Sequence, residues 1–178
     1  MDYRYWNKIL LGLTVMAPIP YVAYAEVYLT EQQAVDVFFP GVAMKEGWFD
    51  LNPSEASSIE KRSHERVLTK RIRMWTGPEG ETVIIDEVVG KHEFITYAVG
   101  LNADGTVKGI EIMDYRETYG YQVRDESWRK RFVGKSIKDP LKVDKDIPNI
   151  SGATLSSVHV TNGVRRVLFT YETLKAKT

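Results

Sequence analysis

Apolar residues near the end of the chain recur at the spacing of one helix face. The members of this set are Val160, Val164, Val167, Leu168, Tyr171 and Leu174. Arg165 and Arg166 fall outside that face. Ser156 and Ser157 precede the run, and serine is a favoured residue at helix N-caps. The pattern predicts a long C-terminal helix that begins at these serines.

The middle of the chain is rich in β-branched and aromatic residues. Strands are predicted over residues 67–75, 82–89, 94–101 and 107–115, with turn sequences between them. Consecutive strands joined by short turns favour an antiparallel meander. Shorter helices are predicted after Thr30, after Asn52 and over residues 125–132. The sequence therefore predicts an α+β fold in which helices pack on one face of an antiparallel sheet.

Composition excludes several functional classes. The chain has 178 residues and no cysteine, which rules out disulfides, iron–sulfur ligation and thiol catalysis. Its formal net charge is zero, so no basic surface for nucleic acid is expected. None of His64, His92 and His159 has a second ligand at metal-binding spacing, and no metal site is predicted.

The N-terminus has the pattern of a secretory signal peptide. Arg4 and Lys8 precede an apolar stretch at 9–18, and an Ala-Tyr-Ala sequence ends at Ala25. We predict a signal peptide over residues 1–25, cleavage before Glu26, and a mature domain of residues 26–178 in the periplasm or another extracytoplasmic space. The alternative is an N-terminal membrane anchor that is not cleaved.

Small polar residues lead into the predicted C-terminal helix. Residues 151–154 read Ser-Gly-Ala-Thr. The free amides and positive dipole end of a helix N-terminus favour an anion such as phosphate. The stretch lacks the spacing of a P-loop and of a nucleophile elbow. An ordinary helix cap is the alternative interpretation of these residues alone.

The same stretch, SGATLSS at 151–157, resembles the flavin-attachment motif of FMN-binding domains, written D-x-x-S/T-G-A-T. Such domains occur in the C subunit of the sodium-pumping NADH:quinone reductase and the G subunit of the Rnf complex. The resemblance implies that Thr154 carries FMN through a phosphodiester bond. It also implies a separate flavin transferase that uses FAD and magnesium. The motif's aspartate falls at Pro148 here, and an aspartate stands two residues earlier at Asp146.

A second block supports the resemblance. Residues 116–121, RETYGY, are similar to the E-T-P-G-L-G loop near the flavin in these domains, and residues 128–135 resemble the stretch that follows it. Tyr119, Tyr121 and Trp128 either stack on a flavin ring or pack in the core. Glu117 is either a catalytic carboxylate or a polar loop residue. The cofactor-binding residues implied by the two blocks are Thr154, Ser151, Gly152, Ala153, Leu155, Ser156, Ser157, Glu117, Thr118, Tyr119 and Gly120.

Two functional classes follow from the resemblance. The first is an exported electron-transfer flavoprotein that exchanges electrons with a membrane redox protein or complex. The second is an exported module that holds FMN or another phosphate ligand reversibly, without a redox role. No catalytic residue is assigned, and a subunit or carrier is favoured over a stand-alone enzyme.

Overall fold

Six antiparallel strands form one sheet in the computed structural model, which describes residues 26–177. The strands are β1 (Glu26–Val27), β2 (Lys45–Asp50), β3 (Arg71–Thr76), β4 (Thr82–Val89), β5 (Phe94–Leu101) and β6 (Val107–Tyr115). Their order across the sheet is β1-β6-β5-β4-β3-β2. Strands β3 to β6 are the predicted meander, while the edge strands β1 and β2 were not predicted by the sequence analysis. The predicted signal peptide and its cleavage site lie outside the described residues.

Four α-helices accompany the sheet. They are α1 (Glu31–Phe38), α2 (Pro53–Ser63), α3 (Glu126–Arg129) and α4 (Thr154–Lys175). Capping boxes at Thr30 and at Asn52 begin α1 and α2, the two helices predicted after these residues. The helix predicted over 125–132 is the short α3 followed by a 3-10 turn, Lys130–Phe132, while another 3-10 turn, Tyr121–Arg124, precedes it.

The larger core lies between one face of the sheet and helices α2 and α4. Ile84 and Tyr97 of the sheet pack there with Val160 and Val164 of α4. This arrangement confirms the α+β fold class. Helix α1 lies on the opposite face, where Phe38 packs in a second core. Successive strand residues point to opposite faces of the sheet. Because β4 and β5 carry apolar residues on both faces, helices must pack on both faces to bury them.

Helix α4 is buried around most of its circumference. The sheet covers one side of it and α2 covers another. Gly163 permits the close approach to the sheet, because a Cβ there would lie 2.7 Å from a methyl carbon of Val88. The long C-terminal helix was predicted correctly, and it anchors the N-terminal turn at Thr154 against the sheet.

Arg166 corrects the expectation that it faces away from the core. Its side chain is 3% exposed, and its guanidinium donates to the Asp86 carboxylate at 2.8 and 2.9 Å. It also donates to the carbonyls of Arg66 and Glu87. Strand β3 pairs with β4 only as far as Ile84, so this arginine bridges the gap where the two strands diverge.

Among residues 26–177, no helix combines the length and apolar character needed to cross a bilayer.

Candidate functional site

The two motifs found in the sequence meet in one cleft of about 540 Å³. Strand β6 ends at Tyr115 and delivers the loop 116–120 to one wall, while the start of α4 forms the other. The residues that line the cleft are Lys91, His92, Glu117, Thr118, Tyr119, Gly152, Ala153, Thr154, Leu155 and Ser156. Eight of the eleven implied cofactor-binding residues therefore share this cleft. Ser151, Gly120 and Ser157 lie next to it.

The second wall of the cleft is the N-terminal turn of α4. Ala153 is the N-cap, and the first intrahelical bond runs from the Ser157 amide to its carbonyl at 2.9 Å. The amides of Thr154, Leu155 and Ser156 precede that bond, so this end of the helix attracts an anion. Thr154 is exposed at the first helical position. Its side chain therefore lies at the helix end that attracts an anion.

The structure corrects the prediction that Ser156 or Ser157 caps the helix. Both lie inside its first turns and are buried. The Ser157 hydroxyl donates to the Thr154 carbonyl at 2.9 Å and to the Asn149 side chain at 3.2 Å. The Ser156 hydroxyl lies 3.0 Å from the Tyr115 hydroxyl. Both hydroxyls face the protein interior, because the helix is capped at Ala153, three residues before Ser156.

Glu117 ties the loop after β6 to the turn between β4 and β5. Its carboxylate accepts the His92 amide at 2.6 Å and the Glu93 amide at 3.1 Å. Partial burial opposes ionisation, but the backbone amides of His92, Glu93 and Lys91 outweigh it and lower the pKa of Glu117 below its ordinary value. A carboxylate held in this way is an anchor for the loop, which favours the structural interpretation of Glu117 over the catalytic one.

Lys91 and His92 form a third wall that sequence reasoning missed. They lie in the turn after β4 and bring an ammonium group and an imidazole ring to the cleft. The β4–β5 pairing places Val89 opposite Phe94, at the same end of the sheet as Tyr115. The predicted meander was the signal available in the sequence. In a meander, the turn between β4 and β5 lies at the same end of the sheet as the loop that follows β6.

Replacing Glu117 with alanine is expected to loosen the turn that carries Lys91 and His92. Hydrogen bonds to a charged group contribute about 1.5–3 kcal/mol each. Amide hydrogen exchange at His92 and Glu93 should therefore accelerate by about ten- to a hundredfold. Glu126→Ala is the matched control, because that glutamate is 70% exposed and pairs with Lys130 on the surface. Equal exchange in the two variants would contradict the anchoring role.

Acid is expected to weaken the same contacts in the wild-type protein. The pKa of Glu117 is lower in the folded protein than in the unfolded chain. Its stabilising effect is therefore complete above the unfolded pKa and is lost as the pH falls through the folded pKa. Exchange at His92 and Glu93, corrected for its intrinsic pH dependence, should rise over that acidic range.

The aromatic candidates divide between the cleft and the core. Tyr119 is 79% exposed and lines the cleft beside Leu155, which is 48% exposed. Tyr121 is exposed next to it. Trp128 is buried, donates its indole N–H to the Pro148 carbonyl at 2.8 Å and packs edge-on against Phe132. Trp128 is thus a core residue, and Tyr119 is the aromatic side chain at the cleft.

Asp146, which stands two residues before Pro148, bonds within the loop that precedes the motif. Its carboxylate accepts the amides of Leu141 at 3.2 Å and Lys142 at 2.9 Å, and it pairs with Lys135 at 3.1 Å. It therefore stabilises the loop before the motif. Pro148 contributes its carbonyl to Trp128, so both residues fix the path by which the chain reaches Ser151.

Comparison with known proteins agrees with this geometry. Residues 90–168 match the sequence model of the FMN-binding domain family. The chain is also 32% identical over 129 residues to the G subunit of the Na(+)-translocating ferredoxin:NAD(+) oxidoreductase complex of Acetobacterium woodii. That alignment covers 67% of this chain and 62% of the relative. The family match begins at the turn of Lys91 and extends into α4, so it includes all three walls of the cleft.

Proposed function

Because residues 90–168 match the FMN-binding domain family, we propose that this chain is an electron-transfer flavoprotein with FMN bound covalently to Thr154. The observation that carries the proposal is the position of Thr154. Its exposed side chain lies at the start of α4, beside free helix amides and opposite the loop of Glu117 to Tyr119. A threonine in this position offers an attachment point, an anion site and an adjoining cleft together.

The residues present fit a flavin mononucleotide. A cleft of about 540 Å³ is within the range of small-ligand sites. The amides at the start of α4 suit the phosphate, while Tyr119 and Leu155 offer apolar surface to a ring system. The Lys91 ammonium adds a positive charge. When bound, FMN supplies the reversible electron exchange, and the protein positions it and adjusts its surroundings.

No base flanks Thr154 in the sequence. A threonine hydroxyl is a weak nucleophile unless a base removes its proton. Glu117, the carboxylate of the cleft, is committed to backbone amides. We therefore assign attachment to a separate flavin transferase that uses FAD and magnesium. The Thr154 oxygen forms a bond to the phosphorus of the FMN half, the pyrophosphate bond of FAD breaks, AMP leaves, and the hydroxyl proton is lost.

The redox partner is proposed to be a membrane complex. The relative with 32% identity is a subunit of an oxidoreductase complex, and this chain covers 62% of its length. The 178 residues contain no cysteine, so they offer neither a thiol redox group nor cysteine ligands for an iron–sulfur cluster. A carrier that exchanges electrons with another redox centre follows from these two observations.

Coexpression with a flavin transferase tests the proposal. Purified protein should be yellow, should be reduced and reoxidised reversibly, and should keep its flavin after acid precipitation and on a denaturing gel. Flavin that separates from the denatured chain would instead support a module that holds FMN reversibly. Protein that takes up no flavin in either form would contradict both.

Export is expected to remove the first 25 residues. The charged start, short apolar core and Ala-Tyr-Ala sequence before Glu26 are the basis of this expectation. N-terminal sequencing of the protein from the periplasmic fraction should begin at Glu26. A mature chain that begins at Met1 would favour the membrane anchor instead.

A further inference from the structure

Tyr115 joins the two loops that form the cleft. It is the last residue of β6, it is 4% exposed, and no motif in the sequence indicates it. Its hydroxyl donates to the Tyr119 carbonyl at 2.5 Å. The same oxygen lies 3.0 Å from the Ser156 hydroxyl on α4. One buried side chain therefore contacts two of the three walls, the loop after β6 and the start of α4.

The direction of these hydrogen bonds follows from the donors available. A phenol has one proton, and the Tyr119 carbonyl can only accept it. The Ser156 hydroxyl must then donate to the Tyr115 oxygen. Burial, the main influence, raises the pKa of Tyr115, so the phenol keeps its proton at neutral pH. The hydroxyl proton of Ser156 is thus directed into the protein, and its backbone amide is the group left for an anion.

Gly120 packs against the hydroxyls of Tyr115 and Ser156, where only glycine fits. Its φ angle of +94° belongs to the left-handed region, which favours glycine. A Cβ at this position would lie 2.5 Å from the Tyr115 hydroxyl and 2.9 Å from the Ser156 hydroxyl. No larger residue fits without moving one of the two loops. The junction of Tyr115, Gly120 and Ser156 is therefore closely packed as well as hydrogen-bonded.

We propose that Tyr115 is a positioning residue, which fixes the loop of Glu117 to Gly120 against the start of α4 and so sets the surroundings of the flavin ring. The proposal rests on the proposed function, because it concerns a flavin held at Thr154. Tyr115 acts through Tyr119 and Ser156 rather than by touching the cofactor. The strand end gives it a rigid base, since β6 pairs with both β5 and β1.

The alternative is that Tyr115 only stabilises the fold. A purely structural role predicts a lower free energy of unfolding with unchanged flavin properties. A positioning role predicts that the properties of the bound flavin change while the flavin stays attached. The reduction potential and the visible spectrum separate the two, because they respond to the groups around the ring.

The test compares Tyr115→Phe with the wild-type protein, both loaded by coexpression with a flavin transferase. The variant should keep its flavin on Thr154 but show a shifted reduction potential and visible spectrum. Amide exchange in residues 119–120 should rise by about two- to tenfold, as expected for the loss of one neutral hydrogen bond. Ser156→Ala, which removes the other partner, should shift the same quantities in the same direction. If Tyr115→Phe fails to fold, the Ser156→Ala variant provides the test instead.

Tyr171→Phe is the matched control. This tyrosine is also buried, at 8% exposure, but it lies near the far end of α4. It should leave the potential and spectrum unchanged. Loaded Tyr115→Phe and Ser156→Ala with wild-type potential and spectrum would overturn the positioning role alone. Wild-type protein that acquires no flavin would contradict the proposed function and, with it, this proposal.

Discussion

Replacing Thr154 with alanine is expected to give a folded protein that carries no covalent flavin. The hydroxyl is the proposed attachment atom, so its removal should abolish the modification completely. The exposed side chain lies at the first position of α4, where alanine is an excellent helix former. The free energy of unfolding should therefore change by no more than about 0.5 kcal/mol.

Intact mass and thermal unfolding measure these two effects on the same sample. Ser58→Ala is the control, because it removes an exposed hydroxyl from α2, outside the cleft. It should keep the flavin. Thr154→Ser restores a hydroxyl at the attachment position and should recover part of the modification. An alanine variant at position 154 that still carries covalent flavin would place the attachment elsewhere.

Replacing Arg166 with methionine is expected to produce the largest loss of stability. Burial alone would lower the pKa of this guanidinium, but its interactions with Tyr97 and Asp86 raise it, so the group stays charged. Methionine would leave the Asp86 carboxylate and the carbonyls of Arg66 and Glu87 without this donor. Breaking a buried ion pair from one side costs about 3–5 kcal/mol.

Urea unfolding measures that loss directly. Arg131→Met is the control, because Arg131 is exposed and the same substitution there should cost little. If Arg166→Met lowered the free energy of unfolding no more than Arg131→Met, the proposed stabilising role of Arg166 would be contradicted. The contacts of Arg166 matter to the site because they hold α4 against the sheet, and Thr154 lies at the start of α4.

The sequence predicted the central strands because they are long and rich in β-branched and aromatic residues. Strand β2 was missed because Lys45–Asp50 is an edge strand with mostly exposed side chains, so it lacks an apolar pattern. Periodicity also could not show that α1 covers the second face of the sheet. An apolar stripe on a helix indicates that the helix packs against the protein. Which face of the sheet it packs on depends on the path of the chain.

Each half of the site carries a local sequence signal, but their contact does not. The two motifs meet because β6 ends near the start of α4, which depends on the whole sheet. Lys91 and Tyr115 were missed for the same reason, since each contributes through a partner distant in sequence.

The cap prediction at Ser156 and Ser157 was wrong because residue preference was the only criterion. Both hydroxyls instead form hydrogen bonds with side chains elsewhere in the fold. Arg166 has its partners on β4 and beside β3, so helical periodicity alone placed it outside the core.

Peptide mass mapping of the loaded protein tests the central claim most directly. The protein would be coexpressed with a flavin transferase, digested under denaturing conditions and analysed by tandem mass spectrometry. We expect one peptide to gain the mass of FMN less one water, with fragment ions that assign the gain to Thr154. Loaded protein in which the peptide containing Thr154 has its unmodified mass would contradict the account.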